Sequence, residues 1–178
     1  MQERGFSLIE VLVAMSVLCV AALGAMQFVA VATGMMSRAR TQSLAATLAS
    51  ARMEQLRALR FEFDAGGERV TDLATNLSTD PPAPGGGGLA PSGSMSLDVN
   101  VGGFFDFLDG HGRWLSGGGS APSGTAFVRR WSVEPADAGG DLLVLQVLVR
   151  PAAAAGVGAA RRVEGEVRYT TLRARVVR

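Results

Sequence analysis

A single carboxylate at the head of a long apolar run constrains this chain more than any other feature. Between Leu8 and Ser37 the only charged residue is Glu10, and from Val11 to Ala32 the apolar sequence is interrupted only by Ser16, Cys19, Gly24 and Gln27. As a helix rising about 1.5 Å per residue, that stretch covers roughly 33 Å, enough to cross the hydrocarbon core of a bilayer. A charge near the middle of a spanning helix costs about 2.5–3.5 kcal/mol, so Glu10 needs either the headgroup region or a partner. The segment is a transmembrane helix candidate. A secretory signal peptide has a shorter apolar core, about 7–15 residues, after a basic region and before a small-residue cleavage site. Here the run is longer, and the charges of Met1-Gln2-Glu3-Arg4-Gly5 cancel. Any cleavage is therefore expected before the apolar segment.

The stretch Gly5-Phe6-Ser7-Leu8-Ile9-Glu10-Val11-Leu12-Val13-Ala14 resembles the processing site and anchor of the type IV prepilin family, which includes pilus subunits and the pseudopilins of type II secretion. The resemblance implies that a dedicated peptidase cuts between Gly5 and Phe6 and methylates the new amino terminus at Phe6. It also implies that Glu10 attracts the amino terminus of a neighbouring subunit during assembly. Helical spacing is compatible with this, because residues four apart share a face. Arg4 precedes the span while Arg38 and Arg40 follow it, so the positive-inside rule taken alone favours the opposite topology. The resemblance implies a cytoplasmic amino terminus and a periplasmic carboxy-terminal domain, a single pass through the inner membrane, and later residence in a pilus or pseudopilus.

About 140 residues follow the anchor, enough for one domain with a modest core. Hydrophobic residues make up 48% of the chain and the formal net charge is +1, too small a charge to argue for a polyanion, so nucleic acid is an unlikely partner. Cys19, the only cysteine, lies inside the apolar run, so the expected exported domain has no internal disulfide and depends on packing.

From Arg38 the pattern becomes amphipathic. Leu44, Leu48, Leu56 and Leu59 fall at helical spacings, with Arg52, Glu54, Arg57 and Arg60 at the other positions. No proline precedes Pro81, which permits one helix from about Phe6 to about Leu59, roughly 80 Å long if straight. The stripe is too short for a sustained heptad, so burial against the chain's own sheet is expected in preference to a coiled coil. Many major pilins carry a helix-breaking proline where this chain has Gln27.

Asp64 to Ser94 is rich in breakers, notably Asp80-Pro81-Pro82-Ala83-Pro84-Gly85-Gly86-Gly87-Gly88, and is expected to be an exposed loop. No Lys-Ser or Lys-Thr follows the glycines, which argues against a phosphate-binding loop, and Gly117 to Gly119 is treated in the same way. Strand signals dominate afterwards. Met95 to Val101 alternates weakly, Ala126 to Val133 puts Phe127, Trp131 and Val133 on one side, and Asp141 to Arg150 is rich enough in Leu and Val for a central buried strand. In the tail, Val163, Val167 and Tyr169 are odd-numbered and Leu172, Ala174 and Val176 even-numbered, which predicts a bulge or turn near Thr170 and Thr171. Four antiparallel strands are expected to cover the helix stripe.

The segment Phe104-Phe105-Asp106-Phe107-Leu108-Asp109-Gly110-His111-Gly112-Arg113-Trp114 is the one cluster that invites chemistry. Asp106, Asp109 and His111 are candidate metal ligands, but calcium wants more oxygen ligands at alternating positions and zinc more His or Cys. Asp109-Gly110 is also a common turn dipeptide, so an aromatic-flanked hairpin is expected, with no metal and no cofactor. His111, the only histidine, leaves no triad to assemble, and no enzyme activity is expected. Every one of the 17 basic residues is Arg, and Arg161, Arg162, Arg168, Arg173, Arg175 and Arg178 crowd the tail. Arg173 and Arg175 alternate with apolar residues and are expected on an outward, solvated face, with a neighbouring subunit or DNA as the other readings.

The expected fold is α+β, a long N-terminal helix packed on a small antiparallel sheet as in type IV pilins. Its parts are a leader at 1–5, a helix at 6–60 that spans the membrane at about 11–32, and an exported domain at 61–178. The resemblance, strongest in the anchor and in Leu48 to Arg57, is closest to minor pilins of the PilV type, which help to prime pilus assembly. It implies other pilins, the prepilin peptidase and an inner-membrane assembly platform as partners. A minor pseudopilin of type II secretion is the near alternative, and a single-span envelope protein with a binding domain the remote one.

Overall fold

The computed structural model describes residues 7–177. One helix, α1, runs from Leu8 to Ala58, through Gly24, Gln27 and Gly34, in a sequence dominated by Ala, Leu and Met and free of proline. The chain divides into two compact units, Met1–Arg40 and Thr41–Arg178. In the first, every large apolar side chain from Leu8 to Met36 is exposed, by between 47% and 80%. Among the described residues the second unit contains the end of α1 and ten strands: β1 (Phe61–Phe63), β2 (Arg69–Thr71), β3 (Thr75–Asn76), β4 (Ala83–Pro84), β5 (Phe105–Leu108), β6 (Trp114–Ser116), β7 (Phe127–Pro135), β8 (Leu142–Pro151), β9 (Val167–Ala174) and β10 (Val176–Val177).

The principal sheet is antiparallel, in the order β6-β5-β7-β8-β9. Ala45, Leu48, Ala49, Met53 and Leu56 of α1 pack on the odd-numbered side chains of β7 and β8, Trp131, Val133, Leu145, Val147 and Val149, and on the even-numbered Leu108 of β5. Burying each large side chain contributes about 1.5–3 kcal/mol. The opposite face, which carries the even-numbered side chains of β7 and β8 and the odd-numbered ones of β5, is covered as well. Phe105, Phe107 and Val128 pack with Leu115 and Ala155, and Leu148 packs with Leu97 and Ala159. Cover on both faces explains the nearly continuous Val and Leu of β8. The fold is α+β, as the sequence indicates, and consistent with the pilin arrangement of one long apolar helix and antiparallel sheet.

Several expectations fail in instructive ways. The sheet has five strands because the 104–114 hairpin joins it. Met95 to Val101 is not a strand: Asp98 and Val99 donate their backbone N–H to Met95 O, so the segment turns on itself and presents Leu97 to the sheet. The 64–94 connector is not simply exposed. It contributes three short strands, and Leu77 and Leu89 are each 2% exposed. Glycines allow close packing on it, since a Cβ on its own Gly86 would collide with the Asn76 backbone and one on Gly117, after β6, with Ser78 O. No bulge breaks β9, which keeps an unbroken register with β8 from Val167 to Ala174. Leu172 is instead left 64% exposed, while Arg173 faces the helix and donates to Leu56 O and Leu59 O, satisfying carbonyls that the end of α1 leaves without partners. Arg173 is thus not on a solvated outward face, and neither is Arg175, whose side chain is 4% exposed and 2.9 Å from Asp141.

Candidate functional site

Glu10 occupies the first turn of α1, where its backbone N–H bonds Ser7 O at 3.0 Å and the positive end of the helix dipole favours a carboxylate. Among the described residues no cation or hydrogen-bond donor meets that carboxylate. Gly5 and Phe6 lie outside the described residues. Further along, the hydroxyls of the apolar run are bonded within the helix: Ser16 Oγ donates to Leu12 O at 2.8 Å, and Thr33 Oγ1 to Val29 O at 3.0 Å. Polar side chains that bond to their own helix are compatible with a lipid surround. The helix is long and apolar enough to cross a membrane, and Glu10 is the one charge in its apolar part.

Asp106, Asp109 and His111 do not converge. Asp106 is fully buried against the helix side of the sheet, whereas Asp109 sits in the β5–β6 turn and accepts N–H bonds from His111 at 2.8 Å and Arg113 at 2.9 Å. The Arg113 N–H, working against desolvation and helped by the His111 N–H, holds the Asp109 carboxyl below its ordinary value. His111 is 88% exposed and its Nδ1 is 4.0 Å from Asp109 Oδ2. Among the described residues no group of three or more His, Cys, Asp or Glu is placed to hold a metal.

Sequence reasoning missed the feature that organises the second unit. Arg52, expected on the polar side of the helix, is 2% exposed. Its Nη2 lies 2.6 Å from Asp106 Oδ2, its Nη1 donates to Leu77 O, and its guanidinium stacks 4.4 Å from the Trp131 ring centroid. Arg129, opposite Asp106 across the β5–β7 ladder, donates to both Asp106 oxygens and to Leu48 O. Burial, with the neighbouring Arg129 charge, lowers Arg52 to about 10, so it remains protonated at neutral pH. On the opposite face Arg130 donates to Asn100 Oδ1, Leu97 O and Ala155 O, and burial lowers its pKa. Arg150 binds Glu166 at 2.7 Å and donates to Val157 O, Gly158 O and Arg161 O. These forks tie irregular segments to the sheet. A guanidinium has five donors in a rigid plane and an ammonium has no equivalent geometry, which gives the complete absence of lysine a physical sense. The signals available in the sequence were that absence and the placement of Arg129, Arg130 and Arg150 within apolar stretches.

With this geometry in view, residues 1–26 match the prokaryotic N-terminal methylation motif, the leader signature of type IV prepilin-like proteins. No curated protein and no solved structure matches the chain. The match covers the leader and the start of α1, and together with the long apolar helix it supports a membrane-anchored chain similar to type IV pilins and pseudopilins. A leader motif of this kind implies association with pilins and a prepilin peptidase in general.

Proposed function

We propose that this chain is a minor type IV pilin, cut between Gly5 and Phe6, methylated at Phe6 and incorporated into a pilus or its priming complex. The observation that carries the reading is the methylation motif running directly into an apolar helix whose one charge, Glu10, stands without a cation among the described residues. In this reading the amine freed at Phe6 of one subunit neutralises Glu10 of a neighbour, and the cost of carrying that carboxylate at the membrane favours assembly. Before assembly the chain is a single-pass inner-membrane protein with its amino terminus cytoplasmic and residues 61–178 periplasmic. Its partners are other pilins, the prepilin peptidase and methylase, and the inner-membrane assembly platform.

Deleting the gene and scoring surface pili and secreted proteins in the same culture tests the assignment. Lost pili with normal secretion support it. Normal pili with enzymes trapped in the periplasm would make the chain a type II secretion pseudopilin instead.

A further inference from the structure

The loop between β8 and β9 is irregular in sequence but firmly held. Arg150, 1% exposed, grips the carbonyls of Val157, Gly158 and Arg161 and the carboxylate of Glu166. Arg168 donates to Ala159 O. A Cβ on Gly165 would stand 3.2 Å from Pro151 Cγ and in ordinary contact, 3.5 Å, with Thr41 Cγ2. The loop thus lies beside Thr41 and Gln42, and a cleft of about 240 Å³ is lined by Gln42, Arg162, Val163, Glu166, Val167 and Arg168.

Positive charge is in excess on this surface. Arg161, Arg162 and Arg168 are exposed, against the exposed Glu164 and the half-buried Asp98, whose Oδ1 accepts the Ala159 N–H, while Glu166 is spent on buried Arg150. Elsewhere in the unit arginines mostly turn inward to carbonyls and carboxylates, so their outward concentration here is local and would be hidden by a net charge near zero. The tether supplies the second argument. Gln42 follows Ala32, where the apolar run ends, by only ten residues, so even a fully extended chain keeps the cleft within roughly 36 Å of the hydrocarbon edge. Basic side chains held near a bilayer are attracted to acidic headgroups within about a Debye length of the surface.

We propose that the surface formed by Gln42, Arg161, Arg162 and Arg168 docks on anionic lipid headgroups, with a headgroup phosphate in the cleft, while the chain resides in the membrane. The proposal rests on the membrane-anchor reading. Docking holds the second unit on the bilayer before assembly and competes with its release from the surface.

The test uses the full chain with Cys19→Ser and a spin label on Ala160→Cys, reconstituted into vesicles doped with nickel-chelating lipid. One set is phosphatidylcholine and the other contains about one third phosphatidylglycerol. Flotation first reports whether the chain is anchored. In the floating chain, docking predicts that nickel broadens the label strongly in the phosphatidylglycerol vesicles. The broadening should be largely lost in phosphatidylcholine, in about 1 M salt and in the Arg161→Gln/Arg162→Gln variant, whose exposed substitutions leave the Arg150 staple intact. A floating chain with the same broadening in both lipids, or in both proteins, would overturn the docking proposal and leave the anchor standing. A chain that does not float overturns both.

Discussion

The two units of this chain treat polar atoms in opposite ways. From Leu8 to Met36 the helix leaves its apolar side chains exposed and bonds its few hydroxyls to its own carbonyls, which suits a solvent that offers no hydrogen bonds. From Thr41 onward the chain buries guanidinium groups and sends them out to carbonyls of other segments. The first solution is local and follows from helix geometry alone. The second is wholly tertiary: without disulfides or long regular cover, arginine forks and glycine contacts hold the irregular segments against the sheet. The sequence motif follows the same division, since it and Glu10 belong to the local part.

The largest expected effect separates the two parts completely. Gly5→Ala should abolish maturation, read by mass spectrometry of the membrane-bound chain, and leave the unfolding of the second unit untouched; a processed Gly5→Ala chain would break the prepilin reading. Next, Asp106→Asn leaves Arg52 and Arg129 buried without their shared carboxylate, and removing one partner of a buried ion pair costs about 3–5 kcal/mol. Urea unfolding in detergent checks this. A loss below about 1 kcal/mol, the scale of an exposed pair, would mean the triad is not what joins helix to sheet.

Arg150→Lys sharpens the claim about forks. The charge is kept but the carbonyls of Val157, Gly158 and Arg161 lose most of their donors, and a loss of about 1–3 kcal/mol is expected, with faster hydrogen exchange in residues 152–166. Equal exchange in both proteins would show that charge alone suffices. Glu10→Ala is expected to leave cleavage and the stability of the second unit unchanged while reducing incorporation into filaments, scored by immunoblot of sheared pili. Normal incorporation would remove the amine-pairing mechanism.

The smallest effect is a pH dependence. Hydrogen bonds from Arg69 and then Arg175 outweigh desolvation and hold the Asp141 carboxyl below its ordinary value of 3.8. A depressed carboxylate contributes stability that is fully present above its unfolded pKa and disappears as pH falls through the folded value. Stability should therefore decline on acidification below about pH 4, and Asp141→Asn should lack that component. An identical acid limb in the variant would assign the decline to other carboxylates.

Periodicity and composition read most of the architecture correctly: the helix, its leucine stripe, the strands at 127–135 and 142–151 and the aromatic hairpin. Patterns fail where a long side chain reaches past its own element. Arg52 looks polar on a helical wheel but is drawn inward by Asp106, and Arg173 takes the helix side of β9 because the end of α1 offers it carbonyls. The weak alternation of Met95 to Val101 is overridden by local turn bonds.

By itself the sequence determined the anchor, because a bilayer imposes length, apolarity and internal hydrogen bonding on a contiguous stretch, and a motif within it can be read residue by residue. Only the tertiary structure decided which arginines are buried, what they hold and which face of the last strand is inward. Those choices depend on donors and acceptors brought together from as far apart as Arg173 and Leu56, and no local pattern records such pairings.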